Sequence, residues 1–163
     1  MSECGTEQSD LLYMVRHGQS PANLAHLSHG SSWAAGLTNN GFMQARGLDL
    51  PFNFTETVRV SELNRVQLTA ITAGYRNYVV DSRLNETMTR GASSFRRLAQ
   101  LLKTGWLPED TLMAAEDYFK NLPPERLLFA SSLTIASFCR VANQPLQRTP
   151  RHCEVVKIDL SKL

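Results

Sequence analysis

The chain places Arg16-His17-Gly18 directly after the apolar run Leu11-Leu12-Tyr13-Met14-Val15. A neutral imidazole nitrogen can act as a nucleophile. A planar guanidinium matches phosphate oxygens in bidentate fashion, and a glycine lets the backbone approach a ligand closely. The apolar run is expected to form a buried strand, so the trio falls at its carboxyl end, where open α/β sheets bind ligands. The combination makes a seat for an oxyanion such as phosphate. Polar residues continue through Gln19-Ser20-Pro21-Ala22-Asn23, and the Asn23 amide could add a neutral donor.

Further stretches extend the pattern. Leu37-Thr38-Asn39-Asn40-Gly41-Phe42-Met43-Gln44-Ala45 opens a helix, Ser61-Glu62-Leu63-Asn64-Arg65-Val66-Gln67-Leu68-Thr69-Ala70 turns a strand into a helix, and Leu84-Asn85-Glu86 places an acid in a loop. Together with Val15-Arg16-His17-Gly18-Gln19-Ser20 and Asn23, these resemble, in the right order, the motifs of the histidine phosphatase superfamily, the phosphoglycerate-mutase-like enzymes. The resemblance is specific over residues 11 to 86 and weaker beyond. It implies that His17 attacks phosphorus to form a phosphohistidine, and that Arg16 and Arg65 clamp the phosphoryl oxygens with help from Asn23. Glu86 would protonate the leaving oxygen and then activate water. Strand ends at Val15, near Ser61 and at Ala130 should converge on one basic pocket with His17 at its floor.

The second half contains a departure. Where the family has a strand followed by a His-Gly pair, this chain reads Leu127-Leu128-Phe129-Ala130-Ser131-Ser132-Leu133-Thr134-Ile135. The histidine position falls on Ser131 and the glycine on Ser132. No other histidine lies between His29 and His152, so the second catalytic histidine is absent. Serine can donate one hydrogen bond, but it is shorter and neutral, and charge-assisted bonds are roughly twice as strong. Loss of one such donor typically costs about 10²–10³ in rate. Ser131 and Ser132 are also good helix caps, and a helix N-terminus facing a phosphate serves both roles. His152 precedes the last strand, where the family often has Asn or a small residue at the site rim, and is a candidate replacement for the lost imidazole.

The remaining polar residues have plainer readings. His26 and His29 lie in a loop with no matching Cys, Asp or Glu cluster, so solvated histidines are expected rather than a metal site. Asp81 and Arg83 read as a surface pair, Trp33 and Trp106 as packing residues. Three cysteines, Cys4, Cys139 and Cys153, have no metal-ligand spacing, and an odd number argues against a disulfide framework. No metal or cofactor is expected, and a reducing cytosol is the default. A net charge of +2 and no dense basic run exclude an electrostatic nucleic-acid reader. No apolar stretch nears 18 residues, so no spanning helix is expected. The polar first ten residues lack the features of a signal peptide and read as a frayed lead-in.

The elements that must position these groups alternate. Strands are expected over 11–15, 57–60, 78–80, 126–130 and 155–160. Helices are expected from Thr38 to about Leu48, over 65–73, 91–103, 109–121 and 134–141. At 163 residues with 42% apolar content, this is one domain of ordinary globular composition. The predicted fold is an α/β three-layer sandwich, phosphoglycerate-mutase-like, with a mostly parallel sheet and helices on both faces. Glu86 and Ser131 are 45 positions apart, enough for a small cap only. An open pocket favours hydrolysis over mutase transfer and admits a phosphorylated small molecule or a phosphoprotein side chain. Two functions follow: a phosphatase acting through phosphohistidine, impaired or retuned at Ser131, or a pseudophosphatase that binds a phosphorylated ligand or protein partner.

Overall fold

A computed structural model describes residues 10–24, 36–86 and 103–163. Five strands form one sheet in the order β3-β2-β4-β1-β5, with β1 Leu11–Arg16, β2 Val58–Val60, β3 Tyr78–Val80, β4 Leu127–Ala130 and β5 Val155–Asp159. The first four run parallel. β5 runs antiparallel to β1, pairing Val15 with Val155 and Leu11 with Asp159. The carboxyl ends of β1, β2 and β4 therefore lie together with the chain that enters β5.

Alternation along β1 and β4 divides the core. Leu12, Met14, Leu128 and Ala130 face one side, where they pack with Tyr118 of α4 (Glu109–Lys120) and with Ile135, Phe138 and Cys139 of α5 (Ser132–Val141). Tyr13, Val15, Leu127 and Phe129 face the other, against Leu63 and against Val66 and Ala70 of α3 (Asn64–Thr72). This two-sided burial explains why β1 and β4 read as continuous apolar runs. α2 (Asn39–Arg46) packs on α3. The result is the expected three-layer sandwich with a mostly parallel sheet.

Local chemistry sets most boundaries. Thr38 caps α2 by accepting a hydrogen bond from Gly41 N at 3.0 Å. Gly74, at φ +110, turns the chain out of α3 in a conformation that favours glycine. Two elements differ from expectation. A four-residue α1, Pro21–Leu24, follows the first loop, with proline at its first position. α5 begins at Ser132 rather than Thr134 because Ser131 is its cap, its Oγ accepting from Thr134 N at 3.4 Å. The expected helix over 91–103 lies outside the described residues apart from Lys103, as do His26, His29 and Trp33.

Candidate active site

β1 ends at Arg16, and His17 is fixed on both sides. His17 N donates to Ala130 O of β4 at 3.1 Å, while Arg16 N donates to Glu154 O at 3.2 Å and Cys153 N to Arg16 O at 3.0 Å. His17 thus sits between the end of β4 and the approach to β5. Its ring Nδ1 lies 2.7 Å from Gly18 O. A carbonyl only accepts, so the proton is on Nδ1 and Nε2 carries the lone pair. Arg65 Nε donates to that Nε2 at 3.3 Å, and Arg65 Nη2 donates to Glu86 Oε2 at 3.0 Å. One arginine therefore touches both the imidazole and the carboxylate.

Arg65 is fully buried in the first turn of α3. That is the unfavourable end of the helix dipole for a cation, so the placement is not one that helix stability alone would select. The carboxylate of Glu86 offsets it. Burial lowers the affinity of Arg65 for its proton, opposed by Glu86. Burial pulls Arg16 down to about 10, which still leaves it a cation at neutral pH. Burial, then the charges of Arg65 and Arg16, hold His17 well below the usual imidazole range, so it is neutral. Glu86 is raised by burial, against the opposing pull of Arg65, Arg16 and a hydrogen bond from Ser131. The site thus pairs a neutral imidazole with a carboxyl that holds a proton more tightly than usual.

Neighbouring residues position each group. Thr69 Oγ1 accepts from Gly18 N at 3.0 Å and donates to Arg65 O at 2.7 Å, linking the His17 loop to α3. Gln19 N donates to Gln44 Oε1 at 2.9 Å, Thr38 Oγ1 to Gln19 Oε1 at 2.9 Å and Thr38 N to Gln19 O at 2.9 Å. Gly41 backs this loop so closely that a Cβ at Gly18 would stand 2.6 Å from Gly41 O, and one at Gly41 would collide with Gln19 O. The Glu86 segment is held by Thr134 Oγ1 donating to Leu84 O at 3.2 Å and by Asn85 Oδ1 accepting from Glu62 N at 2.9 Å.

The structure brings Arg16, His17, Arg65, Glu86 and Ser131 together. Asn23 also braces the loop, its Oδ1 accepting from Ser20 N at 3.1 Å and Ser20 Oγ at 2.6 Å. Only its amide nitrogen is left for a phosphoryl group. His152 is beside His17, with ring centroids 6.1 Å apart. Asp81 and Arg83 are not a surface pair. Asp81 is buried and bonded to Arg83 at 2.6 Å and Arg59 at 2.9 Å, and Arg59 also holds Glu125. Burial opposes ionisation of Asp81, but these bonds outweigh it and keep the carboxylate charged. Sequence reasoning assigned no role to Thr69, Gly41, Gln19 or Gln44, although all four stand within the motifs.

Flanking the basic floor is a cleft of about 190 Å³, lined among the described residues by Leu107, Ser132, Ala136, Arg140, Leu146 and Pro150. Pro150 O accepts from Arg16 Nη1 at 2.6 Å, so the cleft and the floor share a wall. Among the described residues no group of three or more His, Cys, Asp or Glu could hold a metal ion, and no helix is long and apolar enough to cross a membrane.

Comparison with protein-family models and with curated proteins gives no match by sequence. Solved structures do match in fold. A mycobacterial glucosyl-3-phosphoglycerate phosphatase complexed with VO3 superposes with a TM-score of 0.67 at 20% identity, over 91% of this chain and 90% of that one. TTHB049 from Thermus thermophilus gives 0.66 at 20% identity, over 90% and 92%. Phosphoserine phosphatase from Entamoeba histolytica in complex with 3-phosphoglyceric acid gives 0.65 at 16% identity, over 90% and 89%. At these identities the likeness is one of architecture, and the chain has the phosphoglycerate-mutase-like fold of these structures.

Proposed function

We propose that this chain is a phosphatase of the histidine phosphatase superfamily, hydrolysing a phosphomonoester through a phosphohistidine on His17. The observation that carries this reading is Arg65, a buried cation touching both the lone-pair nitrogen of His17 and the carboxylate of Glu86. The same carboxyl holds its proton more tightly than usual, which suits it to protonate a leaving oxygen.

The steps follow from the geometry. The phosphoryl group displaces the hydrogen bonds that Arg65 makes to His17 and Glu86 and seats its oxygens on Arg16 and Arg65, and Glu86, parted from Arg65 and facing the phosphoryl charge, takes up a proton. His17 Nε2 attacks phosphorus, the bond to the leaving oxygen breaks, and Glu86 gives that oxygen its proton. Glu86, now a carboxylate, takes a proton from water. The oxygen of that water attacks phosphorus, breaking the N–P bond and returning neutral His17, inorganic phosphate and protonated Glu86. The raised proton affinity of Glu86 suits the first step, and the depressed affinity of His17 keeps its lone pair available. Activity then declines as pH rises through the raised value of Glu86.

The substrate class is a phosphorylated small molecule, in keeping with the phosphoserine and glucosyl-3-phosphoglycerate phosphatases that share the fold. The short span between Glu86 and Ser131 also admits a phosphorylated protein side chain. Neither metal nor cofactor is required, and a reducing cytosol suits the free Cys139 and Cys153. The test is turnover of 4-nitrophenyl phosphate together with acid-labile phosphate labelling of the protein. Both should vanish in His17→Ala. Phosphate binding without turnover or label would instead establish the pseudophosphatase, which Ser131 in the histidine position favours.

A further inference from the structure

We propose that His152 donates to the phosphoryl group in the transition state, serving where Ser131 leaves the imidazole position empty. The inference rests on the phosphatase reading above and adds a catalytic residue to it. Two candidate donors flank His17, because its backbone is bonded to Ala130 on one side and its neighbour Arg16 to Cys153 and Glu154 on the other. Ser131 follows Ala130, and His152 precedes Cys153. The histidine missing from the first flank is present on the second.

Three observations place His152 at the reacting group. Its ring lies 6.1 Å from that of His17, tilted by 47°, with Nδ1 3.4 Å from His17 O. Cys153 holds φ +56, a left-handed conformation unusual for a residue other than glycine, in the turn that carries His152. Arg16, whose charge acts on His152, has a buried Nε with no hydrogen-bond partner among the described residues. A phosphoryl oxygen there would satisfy Arg16 and lie within reach of the second imidazole.

The charge logic is consistent. The groups that act on His152 are Arg16 at the end of β1 and His17 just after it, while Cys153 and Glu154 follow on its own segment and bond to the Arg16 backbone. Burial, then Arg16, holds His152 down to about 4. Burial pushes the Cys153 thiol up to about 12, so it is neutral, and hydrogen bonds from Arg148 keep Glu154 ionised. A phosphoryl dianion seated on Arg16 cancels the repulsion and favours the imidazolium. With Nδ1–H on His17 O, the new proton sits on Nε2 and can be donated. Binding should take up a proton and tighten as pH falls from 7 towards 5.

The experiment uses the whole chain and its His152→Ala and His152→Asn variants. It measures vanadate and inorganic phosphate affinity by calorimetry and turnover of 4-nitrophenyl phosphate. In His152→Ala, kcat and vanadate affinity should each fall by about 10²–10³, the usual cost of one lost donor. Phosphate affinity and KM should change less than about tenfold, because the arginines supply the ground-state contact. His152→Asn, which keeps a neutral donor, should fall between. Variants within about threefold of wild type in vanadate affinity overturn the assignment. So does an equal loss of vanadate and phosphate affinity, the mark of a merely structural role. A wild type with no turnover and no label on His17 would sink the phosphatase reading, while the vanadate-to-phosphate ratio would still decide the part played by His152.

Discussion

Removing the carboxylate from Arg65 gives the most informative perturbation of the site. The Arg65–Glu86 pair is 3.0 Å long, with side chains 0% and 9% exposed. Breaking a buried pair from one side typically costs about 3–5 kcal/mol. Arg65 keeps its bond to His17 and has further contacts, so Glu86→Ala should lie at the lower end, about 3 kcal/mol. For a domain of this size each kcal/mol moves the thermal midpoint by about 2–4 °C, giving a fall of about 6–12 °C. Inorganic phosphate should then stand in for the lost anion. At a hundred times its Kd a ligand adds about 2.7 kcal/mol, nearly the whole deficit. The wild type should gain less at the same phosphate concentration, because Glu86 repels the incoming anion. Thermal melts followed by circular dichroism, with and without phosphate, read both effects. A variant melting within 2 °C of wild type would refute the pair as a structural element. An equal phosphate shift in both proteins would refute the competition between Glu86 and phosphate.

Four further outcomes are expected. His17→Ala should abolish turnover of 4-nitrophenyl phosphate while the midpoint stays within a few degrees, since a neutral imidazole at a strand end contributes little charge stabilisation. The same variant should flatten the dependence of stability on pH. Burial holds folded His17 well below the ordinary imidazole range, so as pH falls through about 6.5 the unfolded chain takes up the proton first and stability present at pH 7 is lost towards pH 5; denaturant titrations across that range check the slope. Ser131→His should raise turnover at least tenfold more in a His152→Ala background than in wild type, and equal gains in the two backgrounds would show that the positions do not substitute for one another. Gly41→Ala should unfold the His17 loop or the whole chain, because its Cβ would strike the backbone of Gln19; a well-folded, active variant would show that this contact can relax.

The core strands were legible because β1 and β4 are buried on both faces, leaving unbroken apolar runs at 11–15 and 127–130. The direction of β5 was not. Val155-Val156-Lys157-Ile158-Asp159 reads the same in either sense, and only its pairing with β1 shows it to be antiparallel. Arg16, His17, Arg65, Glu86 and Ser131 could be named from the spacing of the resemblance, and the structure gathers them. The supports could not, since Gln19 with Thr38 and Gly18 with Thr69 are contacts between distant segments. Asp81 was misread for the same reason: its second partner, Arg59, is 22 positions away, on the neighbouring strand. α5 starts two residues before Thr134 because Ser131, rather than a residue nearer the apolar run, supplies its cap.

The antiparallel β5 has an evolutionary consequence. In an all-parallel sheet only the segments leaving strands reach the ligand end, so each new catalytic group must come from a loop that also launches a helix. Such loops are constrained, as Ser131 is by its duty to α5. A reversed edge strand contributes the segment that enters it instead, and that segment launches no helix. Residues 150–153 can therefore vary without disturbing a helix start. A lineage that lost an imidazole from the constrained position could regain one there by single substitutions, leaving the packed layers unchanged. The edge strand gives the fold a second place from which the same chemistry can be supplied.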